Sequence, residues 1–192
     1  AGRDRVFGFK AHFRGPVTDA VELYFFDGCY VGVNPVEGGL TNVCGLGTET
    51  VLRRHGFNYD DVLHRQTALA ERIKPLRREM RWLSAGPLLY ETRLFHPSTD
   101  TLLAGDALQF VDPFTGTGMT IAIWTGLLAG QSAVLGCGGK EYYDAVRRGV
   151  ARQYQVCGWL RSALSMSFGR NFAPWIPAAW LYVLTRPQIE SR

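Results

Sequence analysis

The stretch from Thr101 to Leu135 constrains the fold more than any other part of the chain. It opens with Thr101-Leu102-Leu103-Ala104-Gly105-Asp106, a continuous apolar run closed by Gly and Asp. Such a run suits a buried strand in a covered, parallel sheet. A loop of Gly, Pro and Thr follows, Val111-Asp112-Pro113-Phe114-Thr115-Gly116-Thr117-Gly118, and the pattern then predicts a helix from about Met119 to Leu135. A carboxylate at the carboxyl end of a buried strand can accept hydrogen bonds from a polyol. The unpaired amides and positive dipole end of the next helix attract negative charge. Small residues recur along that helix at Ala122, Gly126, Ala129, Gly130 and Ala133. Its backbone can therefore approach a neighbour closely, either a cofactor or simply the sheet it packs on.

The glycines do not form a dinucleotide fingerprint. Gly116-x-Gly118 is followed by Ile121 where the third Gly belongs, and Gly138-Gly139 stands about twenty residues on, in place of an acidic residue. A phosphate-binding Walker loop is also absent from the sequence.

Upstream, the alternation of Val, Phe, Tyr and Thr between Gly, Pro, Asp and Asn predicts antiparallel strands at Val6 to Phe13, Ala20 to Phe26, Cys29 to Val33 and Leu40 to Gly45. Asp27-Gly28 is a hairpin signal between two of them. Near Asp60 the period becomes helical, through Val62, Leu63, Leu69, Ile73 and Leu76, with Asp60 or Asp61 as the N-cap and Pro75 as a kink or stop. Ser84-Ala85-Gly86-Pro87 reads as a loop before a strand from Leu88 to Leu94. Glu141 to Leu164 is helical in pattern, and Pro174-Trp175-Ile176-Pro177 introduces a last short helix ending near Pro187.

Several function classes lose ground on composition. Lys plus Arg is 21 and Asp plus Glu 17, a net charge of +4, which demands neither nucleic acid nor a membrane. The basic stretch at Arg72, Lys74, Arg77, Arg78 and Arg81 is diluted by Glu71 and Glu79 and reads as a solvated helix face, so no nucleic-acid partner is expected. The longest apolar run, Phe172 to Leu184, is interrupted by Pro174 and Pro177 and falls short of the ~20 residues a bilayer span needs. The opening AGRDRVFGFK lacks the apolar core of a signal peptide and has no initiator Met, which reads as a start in mid-domain of a cytoplasmic protein. Cys29, Cys44, Cys137 and Cys157 have no C-x-x-C spacing, and His12, His55, His64 and His96 are scattered. Free thiols and no metal site are expected. Glu37, beside Gly38-Gly39, reads as a solvated turn residue, and Tyr30 as a packing residue.

The run LLAGDALQFVDPFTGTGMTIAIWTGLLAGQSAV resembles the second FAD-binding motif of the flavoprotein hydroxylase and geranylgeranyl reductase superfamily, in which a strand ends in Gly-Asp, a Pro and a G-x-G follow, and the next helix is rich in Ala and Gly. Gly28-Cys29-Tyr30-Val31-Gly32-Val33-Asn34-Pro35 and Thr41-Asn42-Val43-Cys44-Gly45-Leu46-Gly47 are similar to the strand pair of the same superfamily carrying G-x-Y-x-W-x-F-P and N-V-G-x-G. Gly32 stands in place of its Trp and Asn34 in place of its Phe.

The resemblance implies an α+β chain, part of the FAD/NAD(P)-binding superfamily fold. Residues 1–87 would form an antiparallel substrate-side sheet plus helix, 88–136 the C-terminal part of the FAD-binding domain with its last strand and helix, and 137–192 a helical C-terminal region. Asp106 would accept a hydrogen bond from the ribityl chain of FAD, with Gly105 letting that chain pass. Pro113 and the amides of Gly116, Thr117, Gly118 and Met119 would lie beside the flavin ring. The implied activity is hydroxylation, or reduction of a carbon–carbon double bond, on a small apolar or aromatic substrate, with NADPH or NADH as electron donor. A halogenase is the alternative within the superfamily. Phe172, Trp175, Trp180 and Tyr182 near Arg170 and Arg186 also suit a hydrophobe-binding or peripheral membrane module. The superfamily's pyrophosphate-binding G-x-G-x-x-G unit would precede Ala1, so this stretch would be inactive alone and would self-associate or hold a separate N-terminal FAD-binding segment.

Overall fold

The computed structural model describes residues 5–26, 28–88, 101–109 and 116–165. It divides into two compact units, Ala1–Leu89 and Tyr90–Arg192.

In the first unit, strands β1 (Val6–Arg14), β2 (Glu22–Phe26), β3 (Cys29–Val36) and β4 (Leu40–Thr48) pair antiparallel in the order β2-β3-β4-β1. Two further strands, β5 (Arg77–Arg78) and β6 (Leu83–Leu88), both pair with the free edge of β1, completing a six-stranded sheet. Period-2 alternation makes the faces. Phe9, Ala11 and Phe13 of β1 are buried with Val43 of β4 and Val31 and Val33 of β3, while Lys10 and Arg14 face outward. The β2–β3 hairpin pairs Phe26 with Cys29. Its Gly28 has φ +74, a left-handed conformation that suits Gly in a two-residue turn, and Asp27 lies outside the described residues.

The apolar face is covered by three short helices, α1 (Glu49–Arg54), α2 (Tyr59–Leu63) and α3 (Thr67–Ile73), which bury Leu52, Val62, Leu63 and Leu69 completely. The expected single helix from Asp60 to Leu76 is thus two. The N-cap of α2 is Asn58, whose side chain accepts from the Asp60 amide, and not Asp60 or Asp61. The Gln66 side chain caps α3 by accepting from the Leu69 amide at 2.8 Å, and α3 ends before Pro75. Capping at two points splits one apolar period into two elements. Beyond α3 the basic stretch is not a helix face: Arg77 and Arg78 lie in β5, and Arg78 reaches Asp60 at 2.5 Å. Arg72, half-sheltered, binds Glu22 of β2 at 2.8 Å and ties α3 to the sheet edge. Ser84 to Pro87, expected as a loop, belongs to β6, because Ser84 and Ala85 pair with Phe9 and Gly8; residues 89–94 lie outside the described residues.

In the second unit α4 (Gly118–Val134) begins within a residue of the expected position and α5 (Gly139–Ser165) follows it. Tyr142, Tyr143, Val146 and Val150 of α5 form a core with Leu108, against which Leu102, Leu103, Trp124 and Leu128 pack. The close approach between the helices is at Gly149, where a Cβ would lie 2.7 Å from Trp124 Cζ2. At Gly126 and Gly130 a Cβ would meet no described atom within 4 Å, whereas Ala129 packs against the α5 core. The short helix expected after Pro174 lies outside the described residues.

Candidate functional site

The segment 101–106 is not the expected buried strand. Thr101 to Ala104 pair with no strand among the described residues, and Gly105–Ala107 forms a single 3-10 turn that leaves Asp106 exposed. An apolar run records burial, here on α4 and α5, but does not specify a sheet neighbour. Side chains take the neighbour's role. Tyr143 Oη accepts from the Leu103 amide at 3.2 Å and donates to the Thr101 carbonyl at 2.8 Å. Tyr142 Oη donates to the Leu103 carbonyl at 2.6 Å, and Thr125 Oγ1 accepts from the Gly105 amide at 2.9 Å.

Gly105 has φ +58 and rests on α4, and a Cβ there would meet Ala122 Cβ at 3.2 Å. Ala122 is four residues into the helix, so the turn sits about 6 Å along the axis from the first amide of α4. Asp106 and that helix start therefore belong to one local structure. At the start itself Thr117 is completely buried and its carbonyl accepts from Ile121 at 3.0 Å. Gly116 has φ +62, and among the described residues neither it nor Gly118 has an atom within 4 Å of where a Cβ would stand, which leaves room beside the first amides. No acidic residue lies in the first turn of α4 itself, where the positive end of the helix dipole attracts negative charge. Met119 is 79% exposed at the same end. Pro113 lies outside the described residues.

Together these residues can accept hydrogen bonds at Asp106 and donate them to negative charge at the start of α4. Sequence reasoning missed Thr125, Tyr142 and Tyr143, because only the fold brings α5 beside residues 101–105. The small-residue stripe lies on α4, the helix that carries Thr125. Of its five residues, Ala122 meets the Gly105 turn and Ala129 packs against the α5 core.

On the first unit, the sheet face opposite the core carries three cross-strand rows: Tyr30, Leu46 and Gly8; Gly32, Cys44 and Lys10; Asn34, Asn42 and His12. Asn42 Nδ2 donates to Asn34 Oδ1 at 3.1 Å, and Asn34 Nδ2 to the Pro35 carbonyl at 3.1 Å. Burial pushes the Cys44 thiol up, against smaller opposing effects of Asn42 and Lys10. Tyr30 packs on Phe25 with ring centroids 5.8 Å apart, and Glu37 is exposed in a 3-10 turn. Cys29, Cys44 and Cys137 form no disulfide among the described residues.

No family model matches the chain, and no curated protein matches it. Solved structures do. The flavin-dependent brominase Bmp2 is 16% identical with a TM-score of 0.68, over 95% of this chain and 50% of that one. The myxobacterial chondrochloren halogenase CndH is 17% identical with a TM-score of 0.65, over 82% of this chain and 40% of its own. A geranylgeranyl bacteriochlorophyll reductase-like protein from Thermoplasma acidophilum is 18% identical with a TM-score of 0.66, over 96% and 48%. The chain spans about half the length of the brominase and the reductase-like protein. An antiparallel sheet roofed by short helices, followed by the Gly105–Asp106 turn and its helix pair, is thus a fold shared with part of the brominase and part of the reductase-like protein.

Proposed function

We propose that this chain is the substrate-side and ring-side part of an FAD-dependent oxidoreductase. The observation that carries it is the exposed Asp106 turn resting on α4 beside a roomy helix start with no acidic residue in its first turn. Asp106 would hold a ribityl hydroxyl, and Gly105 and Gly116 would supply the backbone turns that keep side chains out of the way. The amides of Gly116, Thr117, Gly118 and Met119, with Pro113, would border the isoalloxazine ring. FAD, when bound, supplies the redox chemistry. The amides of α4 stabilise negative charge on the group beside them, which favours a reduced, anionic ring. The outer sheet face, apolar at Tyr30 and Leu46 and polar at Asn34 and Asn42, would receive a small apolar or aromatic substrate.

On this reading the reaction is hydroxylation or double-bond reduction with NADPH or NADH as donor. Halogenation is the second reading, favoured by the brominase and the chondrochloren halogenase among the matched structures. A pyrophosphate-binding segment outside this chain completes the site. The proposal places the protein in the cytoplasm, and no helix among the described residues is long and apolar enough to cross a membrane. In the full-length gene product, which should be yellow, Asp106→Ala removes a hydrogen bond worth about 0.5–1.5 kcal/mol and should lower flavin content after gel filtration. Unchanged flavin absorbance would refute the role given to Asp106.

A further inference from the structure

We infer that the hydroxyls of Thr125, Tyr142 and Tyr143 stand in for a neighbouring strand and are positioning residues for the Gly105–Asp106 turn. The inference rests on the assignment of that turn to FAD.

The bonded backbone groups belong to Thr101, Leu103 and Gly105, every second residue. In an extended chain such residues aim their amides and carbonyls to one side, and Ala104 between them is extended at φ −134 and ψ 159. A sheet neighbour would satisfy the same groups. A hydroxyl both donates and accepts, so a single Tyr143 can serve an amide and a carbonyl two residues apart. The three side chains are almost completely buried, so water does not compete for the bonds. Burial pushes the Tyr142 hydroxyl up to about 12, which keeps it a donor.

Thr125 makes the arrangement specific to the site. Its Oγ1 accepts from Gly105 and donates to the Ile121 carbonyl of its own helix at 2.7 Å. The turn that carries Asp106 is thereby tied to α4, whose first amides form the other half of the site. If the tie is cut, the two halves lose their fixed spacing while the packing of the helix pair remains.

The test uses the full-length gene product as purified, as its apoprotein titrated with FAD, and with Thr125→Val, Thr125→Ser and Tyr143→Phe. Val removes the hydroxyl at nearly constant volume, and Ser restores it. Hydrogen exchange of the Gly105 amide should accelerate about tenfold in Thr125→Val, with FAD affinity falling about tenfold, and both should return to within about twofold of the original in Thr125→Ser. Tyr143→Phe should expose the Leu103 amide to exchange and weaken FAD in the same direction, and it serves if Thr125→Val does not fold. A flavin-binding protein in which Thr125→Val leaves exchange and affinity unchanged, or in which Ser and Val lose affinity equally, overturns the positioning role and leaves the FAD assignment standing. A protein that takes up no FAD at any concentration overturns the assignment and this inference with it.

Discussion

Gly45→Ala sets two opposed effects against each other, and the structure decides between them. Gly45 lies in β4 opposite Phe9 on one side and Val31 on the other. A methyl there would sit 2.7 Å from Phe9 Cζ, 2.7 Å from the Tyr30 carbonyl oxygen and 3.0 Å from Val31 Cγ2. The Phe9 ring has little freedom to move away: it is 3% exposed, stacked on Tyr59 at 4.7 Å and edge-on to Trp82 at 5.7 Å. The Tyr30 carbonyl is backbone of the adjacent strand and can yield only by distorting the β3–β4 pairing. Replacing Gly reduces the freedom of the unfolded chain and alone would stabilise by about 0.4–1 kcal/mol. Overpacking a filled core costs about 1–3 kcal/mol. The net expectation is a loss of about 1–2 kcal/mol. Adding Phe9→Leu should relieve the ring clash but not the carbonyl clash, so the double variant should be about 0.5–1 kcal/mol more stable than additivity requires. Urea denaturation followed by tryptophan fluorescence and circular dichroism gives all four stabilities. A Gly45→Ala protein as stable as the original, or strict additivity of the pair, would refute this account of how the sheet packs.

Thr41 is 1% exposed and its hydroxyl has no partner among the described residues, so the isosteric Thr41→Val should stabilise by about 1 kcal/mol in the same urea assay; a loss would show that the hydroxyl is satisfied. Burial alone would raise Glu22, yet the bonds it accepts from Tyr24, Arg72 and Thr18 outweigh this and hold it below its ordinary value of 4.5. Its contribution to stability is therefore present above that pH and lost as pH falls through the lowered value, and Glu22→Gln should flatten this acid limb of a denaturation series. Burial and the bond to Glu22 push Tyr24 from 10.0 up to about 12, so its contribution holds below pH 10 and is lost as pH rises toward 12; Tyr24→Phe should remove that alkaline slope. The α4 residues Met119, Ile123, Leu127 and Val134 are exposed, so the 192-residue chain alone should be colourless and sediment as more than one 21.4 kDa unit; a flavin-loaded monomer of that mass would refute this.

Elements defined by neighbours along the chain are legible in the residues themselves. The strands of the first sheet follow from alternation over a few residues, the β2–β3 turn from Asp27-Gly28, and α4 from a Gly-rich loop meeting a helical period. The Gly-Asp and G-x-G pattern likewise marks the turn and helix start that the fold sets about a helical turn apart. Whatever depends on a distant partner is not legible in this way. The period near Asp60 could not show that Asn58 and Gln66 would cap two helices, and α1 is too short to display a period. Ser84 to Pro87 carries turn residues but joins the sheet because the open edge of β1 lies beside it. The apolar run at Leu102 and Leu103 determined that the segment would pack against a core, since hydrophobicity is a property of the residues themselves. Whether its amides and carbonyls bond to a strand or to tyrosines some forty residues away is a question of which donors and acceptors come within about 3 Å, and only the tertiary structure answers it.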